Sequence, residues 1–304
     1  MNIPRRLWLK SAAASLMVAA MHKLTFAVAR SQFGGWQIDV VSDGYIELPA
    51  SRALPNASDD ELQEYFGKGN IEAGSYRADC NLVVLRKDDQ VVLIDAGAGP
   101  AFLESTGVGV EALASLDIEP DQVTHVLFTH GHPDHLWGVK DDFDELLFTN
   151  AEHWISDTEW NYWTDPSTVS RISADRQFFA VGAKDRLALI AEQTDRFKPE
   201  QEVIPDIIAL ASHGHTPGHV SFQLNAGNDS LVVIGDALTN SRFSFEHPSM
   251  MTGADQDSQI AAESRRVLLD RLVAQRSAVI GFHFPYPGTG TVERHDSAYR
   301  FVAV

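Results

Sequence analysis

The sequence predicts a layered α/β fold, and three features carry that prediction. Short apolar runs recur along the chain and end at turn or polar residues, as buried strands do. A stretch between two of these runs has its apolar residues at helical spacing. Histidines and aspartates follow several of the runs directly. Strands that alternate with helices indicate sheets covered by helices.

The predicted elements follow one another over most of the chain. Residues 82–85 and 91–94 flank Lys87-Asp88-Asp89-Gln90 and therefore predict a hairpin. A helix is predicted over residues 258–273, with Asp257 as its N-cap. The other predicted strands cover residues 36–41, 123–128, 207–210, 231–234 and 278–280.

The first 29 residues predict an export signal. Arg5 and Arg6 form a basic start, an apolar stretch follows over residues 11–21, and Ala27-Val28-Ala29 offers a small-x-small cleavage site. The apolar stretch is too short to span a bilayer as a helix. Paired arginines in this setting resemble a twin-arginine signal, and an ordinary secretion signal or an N-terminal anchor is the alternative. We therefore expect a signal over 1–29, one domain over 30–304, and a periplasmic or secreted location.

The charge of the chain excludes some partners. The net charge is −18, and cleavage after Ala29 would remove four basic residues and no acidic one, which gives −22. Nucleic acid needs a basic surface, so we expect no nucleic-acid partner. An anionic membrane face is disfavoured for the same reason, and no stable membrane anchor is expected after cleavage. Cys80 is the only cysteine, so no intrachain disulfide forms; its apolar surroundings predict a packed, inert thiol.

One short run concentrates candidate metal ligands. His130-Gly131-His132-Pro133-Asp134-His135 holds four of them in six residues, and imidazole and carboxylate are ligands for zinc, iron and manganese. The spacing of His130 and His132 suits a turn in which both rings face one ion. Asp134 and His135 then point elsewhere, which favours a second ion.

The ends of other predicted strands carry further ligand types. His215, Asp236 and His283 each follow a predicted strand, and neighbouring strand ends can converge on one cleft. The alternative is a histidine-rich surface turn that formed by chance. These three additional residues argue against that alternative and for a metal site.

The pattern His-x-His-x-Asp-His, followed by His215, Asp236 and His283, resembles the metallo-β-lactamase superfamily from about residue 40 to the last residue. Residues 211–219, the pair Gly235-Asp236 and residues 299–302 are most similar to the methyl parathion hydrolase group, and quorum-quenching lactonases are close to it. The resemblance implies a single-domain, four-layered αββα sandwich. It also implies a metal-dependent hydrolase.

The resemblance implies a role for each ligand. One metal ion would be held by His130, His132 and His215, the other by Asp134, His135 and His283, and Asp236 would bridge them. Two divalent ions are expected, zinc first, with iron, manganese or cobalt as alternatives. Asp95 would support a ligating histidine, although it could instead cap a turn. His219 would lie just outside the ligand set.

The implied chemistry is hydrolysis by a hydroxide shared between the two ions, because metal binding lowers the pKa of water. No Gly-x-Ser-x-Gly run offers a serine nucleophile. Asp134 is the expected proton shuttle, and Asp134 and Asp236 are the expected catalytic residues. Alignment to the family pattern implies a substrate pocket of aromatic side chains, which core packing could equally explain: Phe102, Trp163, Phe178 and Phe179.

Three functions remain open at this point. The first is hydrolysis of a neutral hydrophobic small molecule, either a phosphotriester or an aryl ester. The second is an acyl-homoserine-lactone lactonase; such lactonases often carry tyrosine three residues after the bridging aspartate, where this chain has Thr239. The third is a periplasmic metal-binding protein without activity, which a complete set of seven ligands argues against. A homodimer remains open as well.

Overall fold

A computed structural model of the chain describes residues 28–67 and 74–304, and two seven-stranded sheets lie face to face within that part. The first sheet keeps chain order, and the second runs from its last strand to its first. The first comprises β1 Val28–Phe33, β2 Trp36–Pro49, β3 Ser75–Lys87, β4 Gln90–Ile94, β5 His125–Leu127, β6 Glu152–Ser156 and β7 Thr194–Phe197. The second comprises β8 Glu202–Ile204, β9 Ile207–Ala211, β10 Val220–Ala226, β11 Asp229–Val233, β12 Ala278–Ile280, β13 Thr289–His295 and β14 Ala298–Ala303.

Helices cover the outer faces of the sheets. They are α1 Ala50–Ala53, α2 Asp59–Phe66, α3 Gly109–Ala114, α4 Pro133–Leu136, α5 Asp157–Thr164, α6 Thr168–Arg171, α7 Gln177–Ile190, α8 Phe243–Glu246 and α9 Ser258–Gln275. None of the helices in the described part of the chain combines the length and the apolar character needed to cross a membrane. Residues 1–27 of the expected export signal lie outside the described residues, and β1 begins at Val28, so the boundary at residue 29 stays a prediction.

Apolar side chains fill three layers of core. Between the sheets, Trp36 and Ile38 of β2 belong to the same cluster as Phe222 of β10. The outer face of the first sheet packs against α3 and α7, and that of the second sheet packs against α9. This order of helix, sheet, sheet and helix confirms the α/β sandwich that the sequence predicts.

The predicted strands fall on observed ones, but their lengths differ. β2 continues to Pro49, because pairing with β3 resumes at Tyr45 after an irregularity that begins at Ser42. β5 has only three residues, although the apolar run that predicted it has six. The predicted helix is α9, and Asp257 caps it by accepting hydrogen bonds from the amides of Gln259 and Ile260 at 3.1 and 3.0 Å.

Strand direction brings the predicted ligands to one edge of the molecule. β4 and β5 are parallel, as are β11 and β12. β9 runs the same way as β11, because β10 is antiparallel to both. The segments that follow these five strands therefore leave the sheets at their carboxyl ends. Asp95, the run from His130 to His135, His215, Asp236 and His283 all occur in these segments.

Candidate metal centre

The first group of ligands lies in the turn after β5. Pro133 opens the short helix α4, where a missing amide hydrogen and a fixed φ are well tolerated. The turn places the ring centroids of His130 and His132 4.6 Å apart. His215 arrives from the second sheet, and its Nε2 lies 2.9 Å from Nδ1 of His132. These three side chains are buried and form one potential metal-binding group.

The second group surrounds two carboxylates. Asp134 Oδ2 lies 3.4 Å from His135 Nε2 and 3.3 Å from His283 Nε2. Asp236 lies between the two groups, because its carboxylate is 3.2 Å from His215 Nε2 and 3.3 Å from both His135 Nε2 and His283 Nε2. The structure thus brings all seven predicted ligands into one cluster.

The polar atoms of this cluster fit divalent cations. Several ligand atoms are sealed from solvent and lack a hydrogen-bond partner among residues 28–67 and 74–304. They are His130 Nε2, His132 Nε2, His135 Nε2, Asp134 Oδ2 and Asp236 Oδ1. Unpaired buried polar atoms are costly, so such a set indicates a missing partner. Imidazole nitrogens and carboxylate oxygens together are a donor set for a divalent metal.

The charges within the cluster balance one another. Burial, with the neighbouring rings, lowers the pKa values of His130 and His132 well below the usual range, so both rings are neutral and able to bind metal. Burial alone would raise the pKa values of Asp134 and Asp236, but the surrounding imidazoles outweigh it and hold both carboxyls ionised. The same carboxylates raise the pKa of His283 against the effect of its burial.

Asp95 and His219 lie behind the ligands. Asp95 accepts a hydrogen bond from His135 Nδ1 at 2.8 Å and two more from Thr129, from its amide at 2.7 Å and its hydroxyl at 2.8 Å. His219 Nε2 accepts the amide hydrogen of Asp236 at 2.9 Å, while its Nδ1 lies 3.1 Å from the carbonyl of Ser212. Burial lowers the pKa of His219 to about 3, so this ring stays neutral. Both residues hold ligand-bearing segments in place.

Asp255 has a similar position behind His215, and no sequence pattern predicts that position. Its Oδ1 lies 3.3 Å from His215 Nδ1, and its Oδ2 accepts hydrogen bonds from Thr252 and Arg265, each at 2.8 Å. Arg265 comes from α9 and is itself buried. A carboxylate in this place orients the ring and raises its basicity towards a metal.

Glu159 is a second residue that sequence reasoning missed. It projects from α5 and is fully buried, and its carboxylate accepts four hydrogen bonds. Oε1 accepts from the amide of Gly131 at 2.9 Å and from Trp163 Nε1 at 2.5 Å. Oε2 accepts from the Thr216 hydroxyl and the Gly218 amide, both at 2.8 Å. Glu159 therefore ties the loop after β5 to the loop after β9.

Cys80 is buried, as its apolar neighbours predicted, but it also borders the cluster. Its sulfur lies within 4.8 Å of ligand atoms of Asp134 and His283. Burial raises the pKa of the thiol to about 12, so in the absence of metal it stays protonated at neutral pH.

The four predicted pocket aromatics have different surroundings. The ring of Phe179 lies 5.3 Å from that of His132, and Phe102 lies 6.4 Å from Phe179, so these two lie beside the cluster. Phe178 is 51% exposed and contacts Phe179 from outside. Trp163 is only 1% exposed and packs beneath Gly131 in the core. The position of Trp163 agrees with the alternative of core packing, because the loop that carries the ligands covers its ring.

Comparison with known proteins agrees with this geometry. Residues 76–283 match the profile of the metallo-beta-lactamase superfamily, and the chain belongs to that superfamily. Two curated relatives, probable metallo-hydrolases of Mycobacterium bovis and Mycobacterium tuberculosis, are each 24% identical over 196 residues. The match covers 56% of this chain and 60% of each relative. Family and relatives support a metal-dependent hydrolase.

Solved structures with the same fold include two well-matched hydrolases. AidC, a dizinc quorum-quenching lactonase in complex with a product, is 21% identical with a TM-score of 0.84, over 92% of this chain and 98% of that one. AbOPH, a hydrolase of the beta-lactamase superfamily, is 25% identical with a TM-score of 0.83, over 91% and 97%. A probable metal-dependent hydrolase from Staphylococcus aureus is 18% identical with a TM-score of 0.73, over 90% and 99%.

Proposed function

We propose that this chain is a dinuclear metal-dependent hydrolase that cleaves an ester-like bond in a hydrophobic small molecule, either a phosphotriester or an aryl ester. The observation that carries the proposal is the buried cluster of seven imidazole and carboxylate ligands, several of whose atoms have no hydrogen-bond partner among the described residues. One ion would be held by His130, His132 and His215 and the other by Asp134, His135 and His283, with Asp236 between them. Zinc is the first candidate, and iron, manganese and cobalt are alternatives.

Two divalent ions held there would lower the pKa of a bound water and polarise the oxygen of the scissile bond. The residues of the chain supply the rest. Asp134 is ionised and faces the cluster, so its carboxylate can take a proton from the attacking water and pass it to the leaving group. Phe179 and Phe102 offer apolar surface beside His132 for an aryl or alkyl group.

A lactonase is the second candidate function. The similarity between the fold of this chain and that of AidC favours the lactonase function. Thr239 argues against it, because lactonases often carry tyrosine at that position. A protein that binds metal without turnover is the third candidate. All three make different predictions for the same measurement, which is the turnover of a panel of substrates by purified protein of known metal content.

The panel should contain aryl esters, acyl-homoserine lactones and phosphotriesters. We expect close to two ions per chain and the highest kcat/KM on a phosphotriester or aryl ester. Asp236→Ala should lose an ion and most of the activity, because its carboxylate lies between the two ligand groups. A single ion with full activity in the parent protein would refute the dinuclear proposal. Two ions without turnover of any substrate would favour the metal-binding protein.

We propose a periplasmic or secreted location for the protein, with a small molecule as its partner and no nucleic acid. Arg5 and Arg6 support export by the twin-arginine route. Replacing both with lysine should leave the precursor in the cytoplasm, as cell fractionation would reveal. Normal recovery of that variant from the periplasm would point to the general secretory route.

A further inference from the structure

A groove of about 750 Å³ beside the metal cluster is lined by three arginines. Asp255 is one of the residues that line the groove, and its buried carboxylate contacts His215. Tyr162, on another wall, contacts Trp163, whose ring lies 5.9 Å from that of His132. The groove therefore adjoins the histidines that would hold one of the ions. Its arginines are Arg52, Arg171 and Arg176.

Arg176 is fixed in the groove with part of its guanidinium unused. Nη2 donates hydrogen bonds to the carbonyls of Gly253 and Ala254 at 2.5 and 2.9 Å. Nε and Nη1 make no hydrogen bond to residues 28–67 or 74–304, and neither is among the atoms sealed from solvent. The side chain as a whole is only 7% exposed. A largely buried cation with free donors is a recognition group for an anion.

The neighbours of Arg176 favour the same ligand. The hydroxyl of Tyr162 has no hydrogen-bond partner in the described part of the chain, and Tyr162 lines the same groove as Arg171 and Arg176. Burial and the Glu159 carboxylate raise the pKa of this hydroxyl, and the positive charges of the two arginines oppose that only in part. In the described part of the chain, Arg171 and Arg52 pair with the exposed carboxylates of Asp165 and Asp175, and solvent weakens such pairs. Asp175 also lines the groove. The carboxylate of Asp255 is buried behind the groove and pairs with the buried Arg265 at 2.8 Å.

We propose that Arg176, with Tyr162 and Arg171, binds a carboxylate on the part of the substrate that does not react. This inference rests on the proposed hydrolase function and replaces the wholly neutral substrate expected from the sequence. Phe179 follows Arg176 by three residues at the start of α7 and lies beside His132. If the apolar part of the substrate packs on Phe179, the carboxylate of the same substrate would lie at Arg176. The net charge of −18 does not prevent this, because charges beyond about 8–10 Å are screened at physiological salt.

A matched pair of substrates tests the proposal. 4-Butyryloxybenzoate carries the carboxylate, and 4-butyryloxybenzamide is its neutral counterpart. The ratio of their kcat/KM values should fall roughly 10- to 100-fold in Arg176→Gln, which is the loss expected for a charge-assisted hydrogen bond. Arg176→Lys keeps the positive charge, so the ratio of kcat/KM values should fall less in this variant than in Arg176→Gln. Arg300→Gln is the control, because Arg300 is 55% exposed and pairs with Glu293 on the last two strands.

Two outcomes would overturn the proposal. In the first, Arg176→Gln slows both substrates equally, so that the ratio stays at the parent value and Arg176 merely supports the Gly253–Ala254 segment. In the second, Arg300→Gln lowers the ratio as much as Arg176→Gln does, and the effect is then one of overall charge. Metal content and unfolding temperature of each variant identify any variant that has failed to fold, and Arg176→Lys then serves in place of Arg176→Gln.

Direct binding separates this inference from the proposed reaction. Calorimetry would compare 3-phenylpropionate with 3-phenylpropionamide on metal-loaded parent and Arg176→Gln protein. The Kd of the carboxylate should rise roughly 10- to 100-fold in the variant, and that of the amide should stay within a few-fold. If the parent hydrolyses neither ester, the proposed reaction is refuted. The calorimetric comparison still tests whether the groove binds a carboxylate. An equal Kd for the carboxylate in both proteins would reject the carboxylate site.

Discussion

In each ligand histidine whose Nδ1 points away from the cluster, that nitrogen lies within hydrogen-bond distance of an oxygen atom. Asp95 faces His135, Asp255 faces His215, and the hydroxyl of Thr129 lies 3.0 Å from Nδ1 of His130. The carbonyl of Asp79 accepts a hydrogen bond from Nδ1 of His283 at 3.0 Å. Such partners fix the tautomer and leave Nε2 with its lone pair towards the cluster. Among these oxygen partners, Asp95 and Asp255 are the two charged residues, so we expect them to have the largest effect on metal affinity.

The variant Asp255→Asn tests that view. It keeps the size of the side chain but removes the negative charge that makes His215 a better ligand. We expect the affinity for one of the two ions to fall about 10- to 100-fold, measured by competition with a chelator. Asp165→Asn is a control, because Asp165 is exposed and pairs with Arg171. An unchanged affinity in Asp255→Asn would show that the contact with His215 is incidental.

Residue patterns could identify Asp95 but not Asp255 or the surroundings of Trp163. Asp95 ends an apolar run that predicts a strand, so its place beside other strand ends could be expected. Asp255 lies in a loop forty residues after His215, and no period connects the two. Trp163 lies on α5, and its burial depends on the loop of Gly131, which would clash with the indole if it carried a side chain. Contacts of this kind depend on tertiary structure alone.

At the scale of elements, α5 joins the two loops that carry the first metal group. Ser156 caps the helix by accepting a hydrogen bond from the amide of Glu159 at 3.2 Å. The carboxylate of Glu159 then turns inward to Gly131, Thr216 and Gly218. Gly218 approaches so closely that a Cβ on it would lie 2.2 Å from the amide nitrogen of Glu159. The loops after β5 and β9 are therefore held at a fixed distance through one helix.

Glu159→Gln should weaken this connection. The new amide group can accept from at most two of the four donors, and its NH2 would face amide or indole hydrogens. We expect the free energy of unfolding to fall by about 2–4 kcal/mol, because buried donors lose a charged acceptor, and metal affinity should fall with it. Urea denaturation and chelator competition measure the two effects. Asp157→Asn on the same helix should change neither; equal stability in Glu159→Gln would contradict the role given to the carboxylate.

Helices near the site were less predictable than strands. Apolar runs located β2, β3, β4, β5, β9, β11 and β12, because strands buried on both faces read as continuous apolar segments. α7 was not predicted, although four of its buried residues, Ala180, Ala183, Leu187 and Ile190, are apolar and have helical spacing. For α5, the sequence Ser156-x-x-Glu159 is a recognised helix start that could have located it. The face that Glu159 presents could not be inferred from that signal.

At the scale of the whole molecule, Asp43 should make stability depend on pH. It is fully buried beneath the loop after β4 and accepts a hydrogen bond from the amide of Ala98 at 2.8 Å. Burial raises its pKa from 3.8 to about 7. Between these values the folded state holds a proton that the unfolded state has released. The free energy of unfolding should therefore decrease as the pH rises through this window and level off above it.

Asp43→Asn removes this ionisation and gives the matching measurement. Between about pH 4 and pH 8, the free energy of unfolding of the variant should rise relative to that of the parent by an amount on the order of 4 kcal/mol. This amount follows from the size of the pKa shift. Urea denaturation at several pH values would give both curves. Parallel curves for the two proteins would mean that Asp43 is ionised in the folded state at acidic pH as well.

The metal cluster also joins the two sheets, since its ligands come from both. The run from His130 to His135 leaves the first sheet after β5, whereas His215, Asp236 and His283 leave the second. Without ions, several atoms of these buried groups have no hydrogen-bond partner in the part of the chain that the structure describes, and such burial is costly. Ions present at about 1,000 times their Kd would stabilise the fold by about 4 kcal/mol. Chelation should therefore lower the unfolding temperature by roughly 10 °C for a chain of this size, and added zinc should restore it.

Chelation of the Asp236→Ala variant, followed by measurement of its unfolding temperature, provides the internal control. That variant lacks the side chain between the two ligand groups, so it should begin with a lower unfolding temperature and lose less on chelation. Hydrogen exchange after chelation should accelerate together in the loops that follow β5, β9, β11 and β12, because the metal cluster is the feature to which all four of these loops contribute a ligand. Acceleration confined to the loop after β5, with the unfolding temperature unchanged, would mean that the interior packing of Trp36, Ile38 and Phe222 holds the sheets together without the metals.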